Sequence, residues 1–315
     1  MKTKTAHRLY VIVLLFITAV VLCTLPFLLV KKDIIYVYTK NHQPDSRERG
    51  FILELKNLSY QVKVNQTPTK EQETAIWFKM PHNIKNIMFN NKFKYNFVYN
   101  EEYYPFDYEG LEELPIILTP YQDLYEHYVR SNIKSAVFFL GVNTREFFSI
   151  NSKKPHKLVY YEYRNKETSL YEYLSKEANA YYLGRFWNND ISPTASSEVI
   201  ASKENKILSQ AEFVVVDNSN VYNLMPEEML NAISSGTPVI TQKNGYIQQI
   251  YGDTLNYIDQ PQKIADVLTQ YRKNPNEIKN KAFKAQQITL NKLSSTFSAK
   301  RFVELLNWLK LHNSL

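Results

Sequence analysis

From residue 33 onward, short apolar runs rich in β-branched and aromatic residues alternate with longer stretches whose apolar positions recur at helical spacing. "DIIYVYTK" (Asp33 to Lys40) is the first such run and predicts a buried strand. "DSRERGFILELKNLSY" follows with Phe51, Leu55 and Leu58 near helical spacing, and then come "QVKVNQ" and "TAIWF", two more strand-like runs. Strand, helix, strand, strand at these lengths predicts the start of a parallel α/β sheet. "NFVYNEEYYPFDYEGLEELP" is dense in Tyr, Glu and Pro without a clear period, so it predicts a strand leading into an irregular loop, a kind of segment that often carries function. Strand Ile116 to Leu118 then meets a Thr-Pro helix start, a helix runs to about Ser131, and a strand from Ala136 to Leu140 closes on Gly141.

"REFFSINSKKPHK" loses this periodicity and gains Lys and Pro, which makes it the linker candidate. The alternation then begins again: strand "LVYYEY", helix "ETSLYEYLSKEA", strand "AYYLG", a helix across Ser197 to Gln210, and strand "AEFVVVD". "MPEEMLNAISSGTPVIT" (Met225 to Thr241) predicts an amphipathic helix, a small-residue corner and another strand, and a helical tail is expected from Gln260. Two doubly wound, Rossmann-like domains follow from this pattern. The expected divisions are 1–32, 33–150, 151–295 and a C-terminal helix at 296–315.

The apolar pattern at the N-terminus is different in kind. Leu9 to Val30 holds no charge over 22 residues, enough for a helix to span the roughly 30 Å hydrocarbon core of a bilayer. A cleaved signal peptide would have an apolar region of about 7–15 residues ending at a small-x-small site, which is missing here. The expectation is therefore a single-pass transmembrane helix. Lys2, Lys4 and Arg8 precede it and Lys31, Lys32 and Asp33 follow, a difference that leans towards a cytoplasmic N-terminus. The expectation kept for the catalytic part is nevertheless the cytoplasmic face, so the side of the membrane stays open.

Composition narrows the functional classes. With 44% hydrophobic and 22% charged residues the chain is built to fold, and 315 residues suit two domains better than one. The net charge of +7 is spread along the sequence, which favours a phosphate-bearing ligand or a lipid surface over nucleic acid, and no nucleic-acid motif is present. The one cysteine, Cys23, lies inside the apolar N-terminal stretch, so the rest of the chain has no thiol for a disulfide, a metal or a nucleophile. Neither metal-ligand spacing nor Asp-x-Asp occurs, and no cofactor is called for. Asn57 and Asn65 each begin an Asn-x-Ser/Thr tripeptide.

The chemistry concentrates around the corner. Glu227 and Glu228 lie in the first turn of the expected helix, Gly236 follows its end, and Pro238 prevents it from resuming. In open α/β sheets ligands sit beyond the carboxyl ends of the strands, and helix N-termini favour phosphates. "LNAISSGTPVIT", with the segment from "NGYIQQIYGD" to "KAFKAQ", resembles the donor-binding half of GT-B glycosyltransferases, above all the retaining group whose motif reads Glu-Ala-x-Ala-x-Gly-x-Pro-Val. "ILTPYQDLYEHYVRSNIKSAVFFLGVNTREF" is similar to the passage between that family's two domains. The resemblance implies transfer of a sugar from a nucleotide-diphosphate donor to a glycan or lipid-linked acceptor, and a final helix packed across the cleft. "PEEMLNAISSGTPVI" also resembles the donor motif of fucosyltransferases.

The family's two motif Glu residues fall here on Asn223 and Asn231, and its glycine-rich loop after the first strand is replaced by "TKNHQPDSRERG". Asn hydrogen-bonds a sugar hydroxyl but brings no carboxylate, so a silent glycan-binding or scaffold module stands as the rival from another class. The donor-binding candidates are Arg164, Lys166, Asn223, Glu227, Asn231, Gly236 and Thr237, with Arg164 and Lys166 suited to the diphosphate and Arg185 a weaker candidate of that kind. The catalytic candidates are His42, an imidazole that titrates near neutrality, and Glu228. Asp45, Arg47, His82, Tyr99 and Glu101 fall after strands of the first domain and face the same expected cleft. Each of these candidates also has a plain reading as a loop or helix-end charge.

Overall fold

The computed structural model describes residues 33–39, 46–66, 72–78, 93–101, 105, 114–150, 154, 156–161, 169–174, 180–183, 197–218 and 225–312. Among them no helix is long and apolar enough to cross a membrane, and the stretch from Leu9 to Val30 lies outside them.

The first half forms a six-stranded sheet of β1 (Ile34–Tyr38), β2 (Gln61–Val64), β3 (Gln72–Phe78), β4 (Phe93–Tyr99), β5 (Ile116–Thr119) and β6 (Ser135–Val137). Its order is β2-β1-β3-β4-β5-β6, and every pair is parallel. Helix α1 (Arg47–Asn57) starts where the Ser46 side chain accepts from the Arg49 amide, and it buries Phe51, Ile52 and Leu55. Helix α2 (Gln122–Arg130) covers the other face with Leu124 and Tyr128. The run expected as strand to Leu140 leaves the sheet at Phe138, because Phe138 and Leu140 turn into the core beside α1.

The second half forms a five-stranded parallel sheet from β7 (His156–Tyr161), β8 (Ala180–Leu183), β9 (Ala211–Val216), β10 (Val239–Gln242) and β11 (Asn256–Ile258), in the order β11-β10-β9-β7-β8. Its helices are α3 (Ser169–Leu174), α4 (Ser197–Ser209), α5 (Glu227–Ser234), α6 (Gly245–Tyr251), α7 (Ile264–Lys273) and α8 (Pro275–Lys292). The β-branched runs became strands because both faces of a parallel sheet are covered, so near-continuous apolar sequence is needed. Helix α5 is not amphipathic in place: every residue from Glu228 to Ser234 is buried. Helix α6 follows β10 closely, and Asn244 caps it by accepting from the Tyr246 and Ile247 amides.

The chain passes between the sheets twice. After β6 it crosses at Gly141–Val142, and after α8 it returns at Leu293–Ser295 to begin α9 (Ser295–His312). The two passes are hydrogen-bonded side by side: the Val142 amide donates to the Leu293 carbonyl, the Ser295 amide to the Val142 carbonyl, and the Gly141 amide to Ser298 Oγ. A Cβ at position 141 would fall on the Leu293 carbonyl, so this close approach requires glycine. Helix α9 then lays Phe302, Leu306 and Leu309 into the core of the first sheet, among Ile35, Phe51 and Phe97. The expected linker at 145–157 thus lies beyond the point of crossing, and the final helix completes the first core.

Candidate functional site

Strand order locates the crevices. In the first sheet the chain goes from β1 to β2 on one side and then to β3 on the other, so the carboxyl ends of β1 and β3 flank a topological switch point. In the second sheet the same reversal falls between β7 and β9. A contact between the residues that follow β1 and those that follow β9 brings these two edges face to face.

That contact is Arg47. Its side chain, 11% exposed, pairs with Glu101 at the end of β4 and, at 3.5 Å, with Glu227 in the first turn of α5. Its Nη1 also donates to the Leu140 carbonyl at 3.3 Å, and the Leu140 amide donates to Tyr99 Oη at 3.4 Å. Burial alone would lower the guanidinium pKa, but Glu101 and then Glu227 more than offset it and hold Arg47 charged. One cation therefore joins the end of the first sheet, the first crossing and the second domain.

Glu48 stands next to Arg47 in the first turn of α1 and accepts from Thr39 Oγ1 at 2.9 Å. Burial raises its carboxyl pKa to about 7, with the neighbouring Glu101 and Glu227 charges adding to the rise against the Thr39 bond and Arg47. Thr39 is fixed in turn by Asn65, whose side chain accepts from the Thr39 amide at 2.9 Å and donates to its carbonyl at 2.8 Å. The arrangement holds a carboxyl that titrates near neutrality on a clamped strand end, which suits it to take or give a proton.

On the opposite wall, Asp217 and Asn218 follow β9. Gln242 at the end of β10 ties them down: it accepts from the Asn218 amide at 3.0 Å and donates to Asp217 Oδ1 at 3.1 Å. Glu228 is buried beside Glu227. Asn231 is buried too, its amide donating to Tyr161 Oη at 3.3 Å, while that hydroxyl donates to Glu204. Asn231 is thus engaged in a buried network at the end of β7.

Gly236 and Thr237 are brought to a different place. They follow the far end of α5, where the chain enters β10 at the edge opposite the crevice. Thr237 Oγ1 donates to the carbonyl of Leu208 near the end of α4. Gly236 has a φ of 73°, and a Cβ there would meet Ser149 Oγ at 3.0 Å and Gln286 Nε2 at 3.3 Å. The corner packs against the segment between the sheets and against α8. His42, Asp45, His82, Arg164, Lys166, Arg185 and Asn223 lie outside the described residues. Arg47, Tyr99, Glu101 and Glu227 are brought together around the Arg47 side chain. Sequence reasoning missed Glu48 and Thr39; the only signal for Glu48 was an acid in a helix first turn, which by itself means a favourable dipole contact.

No family model and no curated protein matches the sequence. Solved structures do match the fold. Sucrose-phosphate synthase from Thermosynechococcus elongatus aligns with a TM-score of 0.57 at 11% identity, over 89% of this chain and 100% of that one. The fold is that of the GT-B glycosyltransferases. Anabaena HepE in complex with UDP aligns at TM-score 0.53 and 10% identity, over 88% of this chain and 100% of that one. An α1,3-fucosyltransferase aligns at TM-score 0.55 and 12% identity, over 88% and 91%. At these identities the likeness is one of GT-B architecture, and the crevice residues stand on the geometry above.

Proposed function

We propose that the chain is a GT-B glycosyltransferase that moves a sugar from a nucleotide-diphosphate donor to a hydroxyl of a glycan or lipid-linked acceptor. The carrying observation is Glu48, a carboxyl raised to about 7, held by Thr39 across from the α5 N-terminus. In this reading the donor lies over the β7/β9 switch, its diphosphate met by Arg164 and Lys166, and the acceptor enters over β1. Glu48 takes the acceptor proton as the new glycosidic bond forms and the bond to the diphosphate breaks. His42 and Glu228 are the further acid-base candidates of the same cleft. We extend the proposal to Leu9–Val30 as a single-pass anchor, with the catalytic part at the membrane surface.

Calorimetry of the protein against UDP, GDP, ADP and CMP tests the reading. Binding of one nucleoside diphosphate is expected, and Arg164→Ala should weaken it by about 1.5–3 kcal/mol, the range for a hydrogen bond to a charged group. HepE was solved with UDP and the α1,3-fucosyltransferase with GDP, so preference for GDP would favour the fucosyltransferase-like reading. Absence of all nucleotide binding, with glycan binding intact, would favour the silent module.

A further inference from the structure

The last turn of α9 lies where the N-terminal apolar stretch meets the fold. Lys310 Nζ pairs with Asp33 Oδ2 at 2.7 Å, and Asp33 immediately precedes β1. The Gln61 amide donates to the Asp33 carbonyl, so the start of β2 shares this edge. It is the edge opposite the crevice, because β1 runs from here towards Thr39. Val30, the end of the uncharged stretch, is three residues from Asp33. An extended chain covers at most about 11 Å in three residues, and the polar zone of each leaflet is roughly 5–8 Å thick.

At the same edge α9 turns apolar surface outward. Its inner face carries Phe302, Leu306 and Leu309, while Trp308 is 54% exposed and Leu311 68%. Arg301 lies two turns before Trp308 on the outward face, His312 stacks on its indole at 4.3 Å, and Leu305 between them is only partly buried. An amphipathic aromatic ring on an exposed helix end matches the headgroup level of a bilayer, with Arg301 and Glu304 as the charges on the same face, and Lys31 and Lys32 follow the uncharged stretch in sequence. We propose that the Trp308–Leu311 face of α9 docks on the lipid headgroup region beside the anchor, so that the fold is held to the membrane at two points. This rests on the reading of Leu9–Val30 as a bilayer span.

The test uses the full chain in nanodiscs of phosphatidylethanolamine and phosphatidylglycerol, with a nitroxide spin label read by its accessibility to oxygen and to a water-soluble nickel chelate. One sample carries the label on the native Cys23. A second carries it at position 311 in the variant Cys23→Ser, Leu311→Cys, an exposed position whose replacement leaves the core contacts of α9 in place. The expected result is a several-fold higher oxygen-to-nickel ratio than free label at both positions, with position 311 shallower than 23. A deep label at 23 with an aqueous one at 311 overturns the docking while leaving the anchor. Aqueous labels at both positions overturn the anchor reading and the docking with it. A label at 311 shielded from both reagents would put a second copy of the chain on this face and overturn the lipid assignment.

Discussion

Arg47 and Glu227 stand 3.5 Å apart across the cleft, one in the first turn of α1 and the other in the first turn of α5. Their pairing means that the two helix N-termini are bridged by a cation whose own carboxylate partners come from both domains. Arg47→Ala strands Glu101 and Glu227 and removes a donor from the Leu140 carbonyl. Breaking a fully buried pair costs about 3–5 kcal/mol, but Glu101 and Glu227 are 40% and 34% exposed, so water replaces part of the loss. A cost of about 1–3 kcal/mol is expected in chemical denaturation, against less than about 1 kcal/mol for Glu227→Ala. Equal costs for the two would show that Arg47 acts through the Glu227 bridge alone, with nothing added by Glu101 or the Leu140 carbonyl.

Glu48 predicts opposite pH trends for stability and for rate. Its folded pKa is raised from 4.5 to about 7, so between these values the folded chain binds more protons than the unfolded one and stability falls as pH rises. A displacement of that size corresponds to a loss of at most about 3 kcal/mol. Glu48→Gln should remove that slope, being as stable as the parent at pH 5 and more stable at pH 8. Transfer activity of the parent should rise with pH through about 7, as the base ionises, and fall by about 10²–10⁴-fold in Glu48→Gln. A variant with normal turnover would assign the proton transfer to another group.

Gly141→Ala places a methyl group against the carbonyls of the return crossing, where backbone rather than a flexible side chain must move. Overpacking of this kind costs about 1–3 kcal/mol and occasionally more. The midpoint of thermal unfolding should drop accordingly, whereas Gly245→Ala, where an added Cβ meets nothing within 4 Å, should leave it almost unchanged.

Gly236→Ala and Asn231→Ala should both act on stability. The first forces a residue with a side chain into a φ of 73° against Ser149 and Gln286, costing about 1–3 kcal/mol. The second removes the donor to Tyr161 Oη inside a buried network, costing a similar amount. Nucleotide affinity, measured by calorimetry, should be unchanged in Gly236→Ala because the corner lies at the end of α5 remote from the crevice. A weakened affinity at full stability would bring the corner back to the donor.

The strands were legible because parallel strands covered on both faces demand apolar runs such as "FVVV", which few other structures use. Arg47, Tyr99 and Glu101 were legible as residues that follow strands, since the carboxyl edge of an α/β sheet is fixed by chain direction. Glu48 was not, because its raised pKa comes from burial in the fold and from neighbours 53 and 179 residues away in sequence, Glu101 and Glu227. The corner was half legible: Gly236 after a helix end announces a positive φ, but the Ser149 and Gln286 side chains that close over it come from other parts of the chain. Helix α6 was hidden by Asn244-Gly245, a pair that signals a turn as readily as the Asn cap it proves to be.

The return of α9 to the first sheet orders events in time. Phe302 and Leu306 fill the floor beneath α1, so the half of the protein made first has no finished interior until the last helix has been made. About 160 residues separate β6 from α9, which at about 5–20 residues per second is a delay of roughly 8–32 s on the ribosome. During that interval the second sheet can close on its own strands and helices, while the first presents the apolar face of α1 to whatever is near. The first sheet is therefore finished last, when α9 reaches α1 and Lys310 meets Asp33 at the start of β1.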